Sequence, residues 1–203
     1  MQIGLVQVPR YGTNCYILMD EAQKACAVVD PGGATEQIVA SVKQYGCKPV
    51  AIFLTHGHYD HTGGVAELQD QWPDVPVYLN RGDAYEDVRM HKEFPPLNNA
   101  KDYGEGDEIQ VGGLTVRVLS TPGHSEGGVT LRCENVLFTG DTLFAGSMGR
   151  TDFPGGSTKK IMASLKRLAG LEGNFAVLPG HMGTSDLDTE RQSNPYMAQA
   201  LRF

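Results

Sequence analysis

The sequence predicts an α+β fold: a two-sheet core with helices covering it on the outside. Three observations predict it. Apolar strand-like segments recur in both halves of the 203-residue chain, segments with an apolar helical stripe lie between them, and glycine is abundant. The 25 glycines compare with roughly 14 at the usual share of about 7%. Many stand in pairs (Gly32-Gly33, Gly63-Gly64, Gly112-Gly113, Gly127-Gly128, Gly155-Gly156), which marks short turns. No repeat, low-complexity tract or long linker divides the chain, so residues 1–203 read as one domain.

Taken in order, Ile3 to Val8 alternates apolar and other residues, Cys15 to Met19 is largely apolar, and Cys26 to Val29 is a short buried-type run. Asp30-Pro31-Gly32-Gly33 is a turn. A helix fits Thr35 to Tyr45, with Ile38, Val39, Val42 and Tyr45 on one stripe and Gly46 as its stop. Val50 to Leu54 is a buried strand that runs straight into Thr55-His56-Gly57-His58-Tyr59-Asp60-His61. A helix over Val65 to Gln71 and a strand over Val75 to Leu79 follow. Arg81 to Glu105 is polar and irregular, a short helix and then a loop. The second half repeats the pattern, with strands at Glu108–Val111, Leu114–Leu119, Val129–Cys133 and Val136–Thr139. A helix spans Thr158 to Leu168, with Ile161, Leu165 and Leu168 on its apolar face and Gly170 closing it. Phe175 to Leu178 is a strand, and Asp186 to Leu201 is helical with a break at Pro195.

Composition excludes several classes. With 40% hydrophobic and 20% charged residues, the chain is ordinary for a globular protein. No run approaches the roughly 18 apolar residues of a membrane span. The start, Met1 to Arg10, lacks a basic region followed by an apolar stretch and so does not read as a signal peptide. A net charge of −7 argues against nucleic acid as the main partner. Cys15, Cys26, Cys47 and Cys133 show no C-x-x-C spacing and read as reduced, mostly packed thiols. The expected location is the cytoplasm.

Chemistry concentrates at His56, His58 and His61, three of the six histidines, with Asp60 among them. Imidazole and carboxylate at this density suit a borderline metal such as zinc or iron. Residues two apart in an extended chain are separated by about 6.6 Å, too far to share one ion at bonds of about 2 Å. Gly57 is expected to let the chain curl so that they converge. Three more residues repeat one setting, a ligand type beside glycine at a strand end: His124 in Thr121-Pro122-Gly123-His124, Asp141 in Phe138-Thr139-Gly140-Asp141, and His181 in Leu178-Pro179-Gly180-His181.

His56-x-His58-x-Asp60-His61 followed by His124, Asp141 and His181 resembles the complete metal signature of the metallo-β-lactamase superfamily, and the resemblance runs from Gly12-Thr13-Asn14-Cys15-Tyr16 almost to the end. It implies a four-layer αββα sandwich with the metal site at one edge of the sheets. It also implies two divalent ions, zinc foremost, with iron or mixed iron and zinc as alternatives. One ion would take His56, His58 and His124, and the other Asp60, His61 and His181, with Asp141 bridging them. A hydroxide between such ions is a nucleophile at neutral pH, and Asp60 would orient it or relay its proton.

A thiolate leaves easily, its reference pKa being near 8.5, which suits a thioester substrate. Gly140-Asp141-Thr142-Leu143-Phe144, Gly149-Arg150-Thr151-Asp152-Phe153-Pro154-Gly155-Gly156 and the late Glu190-Arg191-x-x-Asn194-Pro195-Tyr196 resemble the short glyoxalase-II-like (hydroxyacylglutathione hydrolase-like) enzymes. The substrate so implied is S-lactoylglutathione or a related acyl-thiol. The helical domain that helps bind glutathione in longer glyoxalase II enzymes is not part of this sequence. Arg150 is the candidate contact for a substrate anion, unless it is paired internally with Asp152. Arg150, Lys159, Lys160, Lys166 and Arg167, opposed in sequence only by Asp152, would form a basic rim for an anionic thioester. Tyr59 either lines the mouth or packs, and His91 reads as a surface residue with no role. The runner-up is a mononuclear-iron persulfide dioxygenase of the same superfamily, since His56, His124 and Asp141 could form a two-histidine, one-carboxylate iron triad. A lactonase is possible with the same hydroxide. A β-lactamase, a nuclease and a non-catalytic scaffold fit less well, the last because no ligand is missing.

Overall fold

A computed structural model describes residues 1–83 and 99–203. His91 and much of the helix and loop expected between Arg81 and Glu105 lie outside the described residues. One sheet holds β1 (Gln2–Gln7), β2 (Asn14–Asp20), β3 (Ala25–Val29), β4 (Lys48–Leu54), β5 (Val77–Leu79) and β6 (Ala100–Asp102), in that order. Its first three strands pair antiparallel, and β3 to β6 run parallel. The β3–β4 and β4–β5 pairs need crossovers, which α1 (Thr35–Tyr45) and, after the single turn α2 (Tyr59–Thr62), α3 (Val65–Gln71) supply.

The other sheet holds β7 (Glu108–Val111), β8 (Leu114–Ser120), β9 (Val129–Cys133) and β10 (Val136–Gly140), paired antiparallel. After the small ribbon β11 (Leu143–Phe144) and β12 (Ser147–Met148), the helix α4 (Thr158–Ala169) crosses over to β13 (Ala176–Pro179), parallel to β10. The two-residue β14 (Ser185–Asp186) forms the edge, followed by α5 (Leu187–Ser193) and α6 (Pro195–Ala200).

Side-chain alternation explains why the central strands read as continuous apolar runs. On β2, Tyr16 and Leu18 enter the core between the sheets, while Cys15, Ile17 and Met19 face the α1–α3 layer with Ile38, Val42 and Leu68. On β4, Phe53 goes inward and Ile52 and Leu54 outward. The second sheet sends Val116, Val118, Leu131 and Phe138 inward, and Leu137 and Val177 outward against Leu165, Leu168 and Met197 of the other helical layer. A strand covered on both faces has no solvated side to alternate with. Tyr16 and Phe138 meet across the interface edge to face, centroids 5.5 Å apart. Helix, sheet, sheet and helix make four layers, the αββα sandwich expected.

The helices end where the sequence puts punctuation. Gly46 caps α1 with φ 63, Ser157 caps α4 by accepting from the Lys160 amide, and Asn194 closes α5 and opens α6 ahead of Pro195. The break expected at Pro195 divides the stretch from Asp186 to Leu201 into two helices, and Asp186 is the cap of the first. β6, β11, β12 and β14 were not expected: two- and three-residue strands carry too little pattern to register, and β6 is fully exposed. The four cysteines are free thiols, with Cys15, Cys26 and Cys133 buried. Among the described residues no helix is long and apolar enough to cross a membrane.

Candidate metal centre

β3, β4, β8, β10 and β13 end at one edge of the sandwich, and the sheets are joined there. The Val129 amide donates to Thr55 O at 2.9 Å and the Asn14 amide to Gly180 O at 2.7 Å. His56, His58, Asp60 and His61 follow β4, His124 follows β8, Asp141 follows β10 and His181 follows β13. The structure brings all seven candidate residues together. Donor atoms of His56, His58 and His124 lie within 4.8 Å of one another, as do those of Asp60, His61 and His181 and those of His56, His61 and Asp141.

The contacts run across both sets. His58 Nδ1 is 2.8 Å from His124 Nε2, and His61 Nε2 is 3.3 Å from His181 Nε2. Asp60 Oδ2 lies 3.1 Å from His181 Nε2 and 3.5 Å from His61 Nε2. Asp141 reaches both sides, with Oδ1 3.4 Å from His61 Nε2, and Oδ2 3.4 Å from His124 Nε2 and 3.6 Å from His181 Nε2. Its carboxylate sits where Gly180 leaves room, since a Cβ at 180 would stand 2.6 Å from His61 Cε1 and closer still to Asp141 Oδ1.

Hydrogen bonds behind the rings fix which nitrogen faces the centre. His124 Nδ1 is 2.8 Å from Arg150 O; a carbonyl only accepts, so Nδ1 carries the proton and Nε2 the lone pair. Asp30 does the same for His61, with Nδ1 3.0 Å from its Oδ2. Thr55 donates its hydroxyl to Asp30 Oδ2 at 2.7 Å, which leaves its oxygen to accept from His56 Nδ1 at 3.1 Å. These bonds leave three Nε2 atoms aimed at one place, the orientation found in metal-ligating histidines.

Electrostatics of the protein atoms alone leave the cluster short of positive charge. Burial and the surrounding histidines push the His56 ring well below its ordinary pKa, so it stays neutral. Burial opposes a charge on His61 too, but Asp141, Asp30 and Asp60 together lift it to about 9. Burial likewise opposes the Asp60 charge, and the hydrogen bond from His181 with the neighbouring rings overcomes it, lowering its pKa. Among the described residues, buried His56 Nε2 and Asp141 Oδ1 have no hydrogen-bond partner. Two orphaned acceptors in one group with His61 form a donor set that cations complete. The residues fit divalent metal.

The sequence reading missed two carboxylates behind this set. Asp30, taken as part of a turn, holds Thr55 and His61, with φ 53 in the left-handed region. Its signal was available: like Asp141, it directly follows an apolar strand. Asp83 also binds the ligand loops, and nothing in its Arg81-Gly82-Asp83 setting announces it. Gly57 serves a different end from the one expected. It is not among the residues with positive φ; a Cβ there would stand 2.7 Å from Asp83 O, so close approach explains the glycine.

At the mouth, Arg150 pairs with Asp152 through Nε at 2.7 Å and Nη2 at 2.6 Å, both side chains being exposed. Its guanidinium lies 4.0 Å over the Phe153 ring, and that ring meets His58 edge to face at 5.5 Å. The expected basic rim is weaker than the sequence implies. Glu126 pairs with Lys160 and Glu105 with Arg167, both acids arriving from distant parts of the chain. Tyr59 is partly exposed and stands edge-on to Tyr11.

A family model described as the metallo-beta-lactamase superfamily matches residues 8–181. The "Probable metallo-hydrolase YqgX" of Bacillus subtilis is 34% identical, over 97% of this chain and 95% of its own. The "Hydroxyacylglutathione hydrolase GloC" of Haemophilus influenzae is 28% identical, over 97% of this chain and 98% of its own. Among solved structures, TTHA1623 in a di-iron-bound form is 36% identical with a TM-score of 0.83, covering 95% of this chain and 99% of that one. ETHE1 from Myxococcus xanthus is 27% identical, also with a TM-score of 0.83, covering 98% of this chain and 85% of that one. With its sandwich, its strand-end cluster of histidines and aspartates and a family match over most of its length, the chain belongs to the metallo-beta-lactamase superfamily.

Proposed function

We propose that the protein is a dinuclear metal-dependent hydrolase of thioesters, of the glyoxalase II type, acting on S-lactoylglutathione or a related anionic acyl-thiol. One observation carries the two-ion reading: the donor atoms fall into two sets, His56/His58/His124 and Asp60/His61/His181, with Asp141 in reach of both. Ions held there supply Lewis acidity and a water-derived nucleophile at neutral pH.

The chain's own residues do the rest. Arg150 O, Asp30 and Thr55 fix the ring tautomers. Asp60, which accepts from the Thr13 hydroxyl at 3.2 Å and stays deprotonated, offers a carboxylate to orient the attacking water or relay its proton. Phe153, against His58, forms an apolar wall that excludes water. Arg150 stands beside it with a guanidinium whose present partner, Asp152, is exposed and exchangeable for a substrate carboxylate. The similarity to GloC and to YqgX supports hydrolysis.

The second reading, a persulfide dioxygenase using one iron, has the likeness to ETHE1 in its favour. Metal content of protein purified without added metal, joined to two assays, tests the choice. Two ions per chain with hydrolysis of S-lactoylglutathione bear out the proposal. One iron per chain with oxygen uptake on glutathione persulfide, and no thioester cleavage, overturns it.

A further inference from the structure

Asp83 ends the short turn Arg81–Asp83 after β5 and is 1% exposed. A carboxylate so buried needs hydrogen-bond donors, and among the described residues it meets three. Oδ2 accepts from the Gly57 amide at 3.0 Å and from the Ser125 hydroxyl at 2.7 Å, and Oδ1 accepts from the Gly127 amide at 2.6 Å. Gly57 stands between His56 and His58, and Ser125 directly follows His124. The donors therefore sit beside His56, His58 and His124, and although Asp60 and His61 follow on the first of these loops, no donor comes from Asp60, His61 or His181.

The cradle is tight as well as polar. A Cβ on Gly57 would meet Asp83 O at 2.7 Å, and one on Gly127 would meet Asp83 N at 2.7 Å. Both loops are thus pressed onto Asp83 at positions only glycine can fill. Three donors on two oxygens also require acceptors throughout. An asparagine would turn an amide NH₂ toward one of them, donor against donor.

We propose that Asp83 is the positioning residue of one half of the metal centre: it sets His56 and His58 against His124, and so sets that half's affinity for its ion. The other half is braced by Asp30 on His61, and Asp30 reaches the first half only at one remove, through Thr55 and His56 Nδ1. The proposal rests on the two-set reading above and adds that Asp83 bears on the first half alone. Partners of this kind are worth roughly 10- to 100-fold in metal affinity.

The test is zinc titration of the full-length, metal-depleted chain in a zinc-buffering chelator, followed by the imidazole ¹⁵N signals, assigned with His58→Ala and His181→Ala. In Asp83→Asn the signals of His56, His58 and His124 should saturate at about 10- to 100-fold higher free zinc, while those of His61 and His181 keep their midpoint. Ser125→Ala, which removes one donor and leaves the carboxylate in place, should shift the same three signals by less. Equal shifts in both sets, or none in either, overturn the role of Asp83 while leaving two-ion binding intact. Wild-type protein that loads fewer than two zinc ions overturns the two-set reading itself and this proposal with it.

Discussion

Gly180→Ala puts one methyl group into the space where Asp141 and His61 meet. The added Cβ would stand 2.6 Å from His61 Cε1, where 3.0 Å is the practical floor for such atoms, so something must retreat by about 0.4 Å or more. The backbone at 180 is poorly placed to yield. Its amide donates to Gly140 O at 2.9 Å and its carbonyl accepts from the Asn14 amide at 2.7 Å. Relief therefore falls on the His61 ring and the Asp141 carboxylate, and the displacement is of the order of the ~0.5 Å within which a site must be held. The expected loss is about 10- to 100-fold in metal affinity, or roughly 1.4–2.8 kcal/mol. Overpacking should cost about 1–3 kcal/mol of fold stability as well. The assay is chelator competition with elemental analysis of the retained metal, run beside circular dichroism to confirm the fold. Gly170→Ala is the control, since its Cβ would meet nothing closer than 3.5 Å. A Gly180→Ala protein that keeps two ions at the wild-type chelator midpoint would refute the packing argument, and with it the placement of Asp141 at the centre.

Three further outcomes are expected. His58→Ala should lower bound zinc by about one ion per chain in elemental analysis and abolish thioester turnover, and unchanged turnover would sink the two-ion assignment. Arg150→Ala should raise KM for an anionic thioester much more than for a neutral one, whereas equal effects on both would mean that the pair with Asp152 only shapes the loop. Asn194→Ala removes the cap that accepts from the Tyr196 and Met197 amides and leaves the buried Glu190 short of a donor. It should cost about 2–3 kcal/mol in denaturant unfolding while metal content stays at the wild-type value.

What could be read from the sequence, and what could not, follows from the range over which each signal acts. Ile38, Val42, Leu165 and Leu168 show their face because helical period is local. His56 to His61, His124, Asp141 and His181 show themselves because a ligand type beside glycine at a strand end is also a local pattern. Asp83 has no local mark of its role, and the place of Asp30 after an apolar strand marks the position but not what it binds; what they do depends on donors at Ser125, Gly127 and Thr55 that only the folded chain delivers. The basic rim is weaker than expected for the same reason in reverse. Lys160 and Arg167 are unopposed in sequence, yet Glu126 and Glu105 reach them from elsewhere. Arg150 and Asp152 were legible as a pair because they are two residues apart.

The position of the centre follows from how its charges are carried. Asp30, Asp60 and Asp141 converge with His56, His61, His124 and His181 where loops of both sheets meet, and a buried carboxylate is costly unless a cation or donors compensate it. Protein donors satisfy Asp30 and Asp83 in full, and these two brace the structure. Donors among the described residues leave Asp141 Oδ1 and His56 Nε2 unsatisfied, and the proton that three aspartates draw onto His61 offsets only part of the deficit. Carboxylates with complete hydrogen bonding thus lie behind the ligands and incompletely bonded groups face inward, so binding cations and holding the two sheets together at this edge are coupled.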